Sequence, residues 1–177
     1  MIDGKRGTWL VNGLAACLFG TLTLIATAGP ALAGWSEGVV AYEHGDFSGA
    51  LLNWIPLAER GNVRAQEMLG FMFDFGEGVP ENDLIASAWY ELAAENGSAD
   101  AQLNLGILLA DGDGLRRDDI EAYKWLELAS KAPEPELRHA ALEVLDTLAM
   151  RMTAAQIATA RKLARDWEVR QLSRGAR

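Results

Sequence analysis

The sequence predicts an all-α protein, a short solenoid of stacked antiparallel helix hairpins closed by a C-terminal helical cap. The first reason is a repeat. Ala65–Asn96 and Ala101–Ala132 align without a gap at a spacing of 36 residues, and 12 of 32 positions are identical. A period of this length marks units too small to bury their own apolar faces, which must therefore stack. The second is apolar spacing of helical period throughout, with no alternating strand pattern. The third is a change after Lys131, where prolines replace the glycine punctuation and the repeat stops.

The chain has 177 residues, half of them apolar, enough for one packed domain. Its N-terminus reads as an export signal. Lys5 and Arg6 precede an apolar run, Leu14–Ala28, broken by Gly29-Pro30. Ala31-Leu32-Ala33 places small residues where a signal peptidase needs them. Cleavage after Ala33 would start the mature chain at Gly34 and place it in the periplasm or outside the cell. Two rivals fit the same segment. Thr8–Ala28 is long enough to stay as a membrane anchor, and Leu14-Ala15-Ala16-Cys17 has the form of a lipoprotein box. Cys17 is the only cysteine, so a cleaved protein has no disulfide and no thiolate chemistry.

Residues 36–61 form a shortened first unit. Tyr42-x-x-Gly45-Asp46-Phe47-x-x-Ala50 joins two helical patterns, and the second carries Ala50, Leu51, Trp54, Leu57 and Ala58 up to Gly61. Trp54 stands 36 residues before Tyr90. The two full units, 63–96 and 99–132, each hold two helices, expected at Val63–Phe75 and Asp83–Asn96, then at Ala99–Asp111 and Asp119–Lys131. Asn82 or Asp83 and Asp118 or Asp119 can cap the second helices. The loops at Gly76-Glu77-Gly78 and Gly112-Asp113-Gly114 call for left-handed backbone in a tight reversal. Ala65, Gly70, Ala86 and Ala93 allow close helix approach, with Leu69, Trp89 and Leu92 expected to fill the space between. Residues 133–177 read as the cap, with Leu137, Ala141, Val144, Leu145 and Leu148 on one helix. Thr153-Ala-Ala-Gln156 is a capping box that opens the last helix, with Ile157, Ala160, Ala164 and Trp167 on its apolar face.

The motif A-x₃-L-G-x₅-G-x-G-x₄-D-x₂-A-x₂-W-x-x-L-A at this period resembles the Sel1-like repeat family, relatives of tetratricopeptide repeats with a longer inter-helix loop. The resemblance covers Ala65–Ala132 most clearly. It implies a right-handed superhelix and an adaptor role, and suggests a bacterial exported member, since bacterial relatives include envelope proteins. It carries over no catalytic residue, because the shared motif is structural. By comparison with tetratricopeptide repeats, the first helices line a concave face. Glu67, Phe71 and Asp74 of one unit, with Leu103, Ile107 and Ala110 of the next, should point there. That mixture of acid and apolar anchors suits a protein or peptide partner with apolar residues and positive charge.

Charge narrows the function further. The chain is −9 overall, which argues against nonspecific binding to nucleic acid or to anionic membrane once the signal is gone. Residues 34–150 carry 22 acids and 7 bases, and residues 151–177 carry 2 acids and 7 bases. Either the last helix dipole attracts these cations or they form a contact, within the chain or to a partner. Asp111-Gly112-Asp113-Gly114 hints at calcium, but Leu115 and Ala122 stand where an EF-hand needs oxygen ligands, so no metal or other cofactor is expected. His44 and His139 lack a marked nucleophile, and Ser87, Ser98 and Ser130 lack a marked base. The expected protein is a non-catalytic interaction module. The alternatives are an envelope hydrolase acting on β-lactams or peptidoglycan, and a self-assembling scaffold, which the charge split would serve. Neither the partner nor the oligomeric state follows from the sequence.

Overall fold

The computed structural model describes residues 30–112 and 116–175. The segment before Pro30, with Cys17, lies outside them, as do Asp113–Leu115 of the second glycine loop. The described residues form eight helices and no strand: α1 (Pro30–Glu43), α2 (Phe47–Glu59), α3 (Val63–Phe75), α4 (Asp83–Glu95), α5 (Ala99–Asp111), α6 (Asp119–Ala129), α7 (Pro135–Ala149) and α8 (Ala154–Gly175). None of these is long and apolar enough to cross a membrane. Helix α1 begins at Pro30, so Ala31–Ala33 lies in its first turn.

Local sequence sets the helix ends. Asp46, Asn62, Asn82, Ser98 and Asp118 each accept a backbone N–H in the first turn of the helix that follows. Gly76 and Gly112 end α3 and α5 at φ 69°, in left-handed backbone that favours glycine. Gly78 meets a second constraint. A Cβ there would lie 2.2 Å from that of Phe47, so the glycine loop docks on the turn of the preceding unit. Tyr42 donates its hydroxyl hydrogen to Glu77 in the same contact, and Val79 packs on the first core cluster. The extra loop length of this unit thus serves to join it to its neighbour.

Hairpins α1–α2, α3–α4 and α5–α6 stack in sequence. In each, a glycine on the first helix faces a large side chain on the second. A Cβ on Gly38 would come within 2.2 Å of the Trp54 ring, one on Gly70 within 2.5 Å of Tyr90, and one on Gly106 within 2.6 Å of Leu126. Trp54, Tyr90 and Leu126 recur every 36 residues and are fully buried. A second device joins units. Gln66 Nε2 donates to the Ala58 carbonyl at 3.0 Å and Gln102 Nε2 to Ala94 at 3.2 Å, tying each unit to the end of the helix before it. Leu69 fills the core as expected, but Leu92 is 48% exposed and points to solvent. Tyr90 takes the inward position, and Trp89 is only half-buried.

The C-terminal pair, expected as a cap, covers the stack in two different ways. Helix α7 stacks on α6 and α5 as the first helix of another unit would. Arg138, 36 residues after Gln102, donates to the Ala132 carbonyl at 3.0 Å. However, Leu142 stands where Gly70 and Gly106 stand in the full units, and it remains 45% exposed. Its side chain occupies the space a second helix would need. Helix α8 instead packs mainly along α6 and reaches back to α4. Trp167 Nε1 donates to Glu95 Oε2 at 3.0 Å, and Gln171 Nε2 donates to the Glu95 carbonyl at 2.8 Å. Its capping box is present: Gln156 N donates to Thr153 Oγ1 at 3.2 Å and Thr153 N to Gln156 Oε1 at 2.8 Å.

The charge split is partly an internal contact. Arg151 pairs with Asp119 at 2.9 Å, Arg161 approaches Glu127 at 3.8 Å, and only Arg174 lies in the last turn of α8. Dipole placement alone therefore does not account for the basic segment.

Trp125, 2% exposed, packs edge-on against Trp167 with ring centroids 6.1 Å apart. Trp125→Ala is expected to lower stability by about 3–5 kcal/mol and Trp89→Ala by less, read from denaturant midpoints. Equal losses would contradict the unequal burial of the two rings.

Candidate interaction surface

Helices α3 and α5 carry the six residues expected on the concave partner face, and the structure divides them. Glu67 and Phe71 on α3 and Ile107 on α5 are half-buried, so each keeps part of its side chain at the surface. The Phe71 and Phe75 rings lie 4.6 Å apart, and Ile107 packs its inner side on the last core cluster. Asp74 and Leu103 are each only 6% exposed. Asp74 turns into its own hairpin, where its Oδ2 lies 3.4 Å from the Tyr90 hydroxyl. Leu103 joins the cluster of Tyr123, Leu126 and Leu137, beneath α6 and α7. Asp74 and Leu103 therefore present little surface on this face. Ala110 is buried as well, at 5%.

Glu67 sits in a polar seam between the two full units. Its Oε2 accepts a hydrogen bond from Ser98 Oγ at 2.9 Å. The same Ser98 oxygen accepts from the Ala101 N–H at 3.1 Å and so caps α5. The serine that lacked a base in the sequence thus has a carboxylate neighbour, but its oxygen is engaged in holding a helix start. Burial raises the Glu67 carboxyl to about 7 and the negative charge of Asp100 adds to this, while the Ser98 hydrogen bond and Arg64 oppose it. Deeper in the seam, burial and then Asp74 push the Tyr90 phenol well above its usual range, against a hydrogen bond from Asn104. The seam is acidic, partly desolvated and bordered by Phe71.

Ser98, Asp100 and Asn104 were not legible as members of this site. Ser98 is 31 residues from Glu67, and Leu103 replaces glutamate at the equivalent place in the next unit. A pairing that occurs at one junction leaves no periodic signal. Among the described residues, no three His, Cys, Asp or Glu side chains stand together in a way that could hold a metal ion.

Comparison with known proteins agrees with this geometry. The Sel1 repeat family matches residues 63–98 and 99–133, the two units whose hairpins close at Gly70 and Gly106. The chain contains two Sel1 repeats. Sel1 repeats in general mediate protein–protein interaction. Among solved structures, the chain resembles c5321, a protective antigen of uropathogenic Escherichia coli strains displaying an SLR fold. Identity is 28% with a TM-score of 0.68, over 78% of this chain and 30% of that one. It also resembles a Sel1 repeat protein from Oxalobacter formigenes, at 27% identity and a TM-score of 0.57, over 73% of this chain and 54% of that one. The chain thus matches about half or less of the length of these structures. No curated protein matches it.

The Glu67 carboxyl makes a pH prediction. Its folded value of about 7 lies above its ordinary 4.5, so the folded state binds the extra proton between these values. Folding is then penalised above pH 7, and the penalty is relieved as pH falls towards the ordinary value. Relative to Glu67→Gln, the wild-type protein is expected to lose stability as pH rises from about 5 to about 8. Denaturation midpoints across that range test this, and parallel profiles would contradict it.

Proposed function

We propose that this chain is a non-catalytic interaction module of the bacterial envelope that captures a protein or peptide on the face formed by α3 and α5. One observation carries the reading: Phe71 and Ile107 lie 36 residues apart at equivalent places on successive first helices, both half-buried, with Phe71 one turn from the acidic Glu67. Their exposed parts can anchor apolar side chains of a ligand. Glu67 and Asp100 favour a ligand that carries positive charge, and act mainly on the association rate. Export rests on Lys5, Arg6, the apolar run and Ala31–Ala33. A mature chain without cysteine needs no oxidative folding, and its stability comes from packing.

The test is capture from an envelope fraction with the protein isolated from cells, whose N-terminus is sequenced first. The expected start is Gly34. A captured partner should bind the Phe71→Ala/Ile107→Ala variant at least about tenfold more weakly, with helical content unchanged. A partner held equally well by the variant would move the interface elsewhere. An intact Met1 on a cytoplasmic protein would remove the envelope assignment.

A further inference from the structure

The second helices of the two Sel1 repeats carry the same outer stripe, and only one of the two is covered. On α6 the stripe is Ile120, Lys124, Trp125 and Leu128, with Glu127 at its edge. Helix α8 lies along this helix. Trp125 and Leu128 share a buried cluster with Ala164 and Trp167 of α8, and Lys124 is buried in the same stripe. Exposure falls to 7% at Lys124, 2% at Trp125 and 6% at Leu128. Arg161 closes the edge, approaching Glu127 at 3.8 Å and donating to the Tyr123 hydroxyl at 3.1 Å.

Subtracting 36 gives the stripe of α4: Leu84, Ala88, Trp89 and Leu92, with Glu91 at its edge. Here Leu84 is 65% exposed and Leu92 48%, while Ala88 is exposed and Trp89 only half-buried. Neighbouring Ile85 adds 38% exposure. Such a cluster on one helix face is unlike the scattered apolar residues of an ordinary surface. The shortened first unit carries only a remnant of it: Ser48, Asn53 and Pro56 stand at three of the corresponding places of α2, and Leu52, 77% exposed, at the fourth. Apolar residues thus recur on α4 and α6, and α6 shows what covers such a stripe.

We propose that the outer face of α4 is a second docking site, and that its occupant is a basic amphipathic helix of a partner protein. The chemistry of the occupant follows from α8. That helix presents Ile157, Ala160, Ala164 and Trp167 inward and carries Arg161, Lys162, Arg165, Arg170 and Arg174. Helix α4 holds Asp83, Glu91 and Glu95 and no base, so its charge complements a basic helix even more than that of α6. The site also continues a surface already in use, because α8 ends its path at Glu95 through Trp167 and Gln171. Where the turn after α6 offers Lys131 to Glu168 at 2.6 Å, the end of α4 offers Glu95. The partner is therefore expected to carry a base where α8 carries Glu168. This site is separate from the Phe71–Ile107 face.

The probe is a synthetic peptide with the sequence of α8, residues 154–175, titrated into the protein as isolated and followed by fluorescence anisotropy. Saturable binding is expected. Replacing Leu84 and Leu92 together by Gln should weaken it at least about tenfold, and both positions are exposed enough for the fold to survive. Reversing Arg161, Lys162, Arg165 and Arg170 of the peptide to Glu should abolish it, while Phe71→Ala/Ile107→Ala in the protein should leave it unchanged. No binding would overturn the proposal. So would affinity indifferent to Leu84 and Leu92, which would mean that the peptide merely exchanges with α8 on α6. Sedimentation is run in parallel. A dimer of the protein alone that is lost on Leu84→Gln/Leu92→Gln would assign the face to a second copy and overturn the separate partner.

Discussion

The contact between a glycine of one helix and a large side chain of the next sets the architecture of this chain. Gly70 receives Tyr90 and Gly106 receives Leu126 at distances that leave no room for a methyl group. Gly38 and Trp54 repeat the arrangement in the shortened unit. Glycine costs a helix about 1 kcal/mol relative to alanine, so its presence mid-helix implies a larger return from packing. Close approach buries a whole ring or isobutyl group between two backbones, and it fixes the distance between the helices of every hairpin. Stacking then follows, because each hairpin is one layer thick and leaves an apolar side open to the next.

The same constraint explains where the solenoid ends. Helix α7 keeps the stacking contacts of a first helix, including the Arg138 bond to Ala132 that succeeds the Gln66 and Gln102 bonds. It lacks the glycine, and Leu142 holds the hairpin open. The chain therefore spends its last helix on the outside of α6, where Trp167 meets Trp125. That choice covers one of two equivalent outer stripes and leaves the other exposed. The acidic body and basic last segment, separated in sequence, are brought together by the same fold-back through Arg151–Asp119 and Arg161–Glu127. At Asp119, desolvation works to raise the carboxyl, but the hydrogen bonds and charges of Arg117 and Arg151 outweigh it and hold the group below its usual range.

Most of what repeats in the sequence was legible, and so was the single capping box at Thr153–Gln156, but contacts made once between distant residues were not. The helix bounds of α3 and α5, the left-handed glycines and the burial of Trp54 all follow from periodic positions. The match of two Sel1 repeats to residues 63–98 and 99–133 lies on the same units. Leu92 misled because its twin Leu128 is buried by α8, a helix outside the repeat. Asp74 misled for the opposite reason: its side chain turns inward to Tyr90, a contact between positions that differ from their equivalents in the next unit. Leu103 was placed on the concave face by comparison with tetratricopeptide repeats, but α7 lies close over α5 here. Glu67 and Phe71 lie on half-buried surface, and the Ser98 partner of Glu67 needed coordinates to be seen.

A double-mutant cycle at Gly106 and Leu126 tests the central packing contact most directly. Gly106→Ala should destabilise by about 1–3 kcal/mol despite its gain in helix propensity, because the added Cβ meets Leu126. Leu126→Ala should cost about 2–5 kcal/mol. Combined, the two should cost less than their sum by at least about 1 kcal/mol, since the smaller side chain makes room for the new methyl group. Additive losses, or a stabilising Gly106→Ala, would show that close approach at this glycine does not set the hairpin.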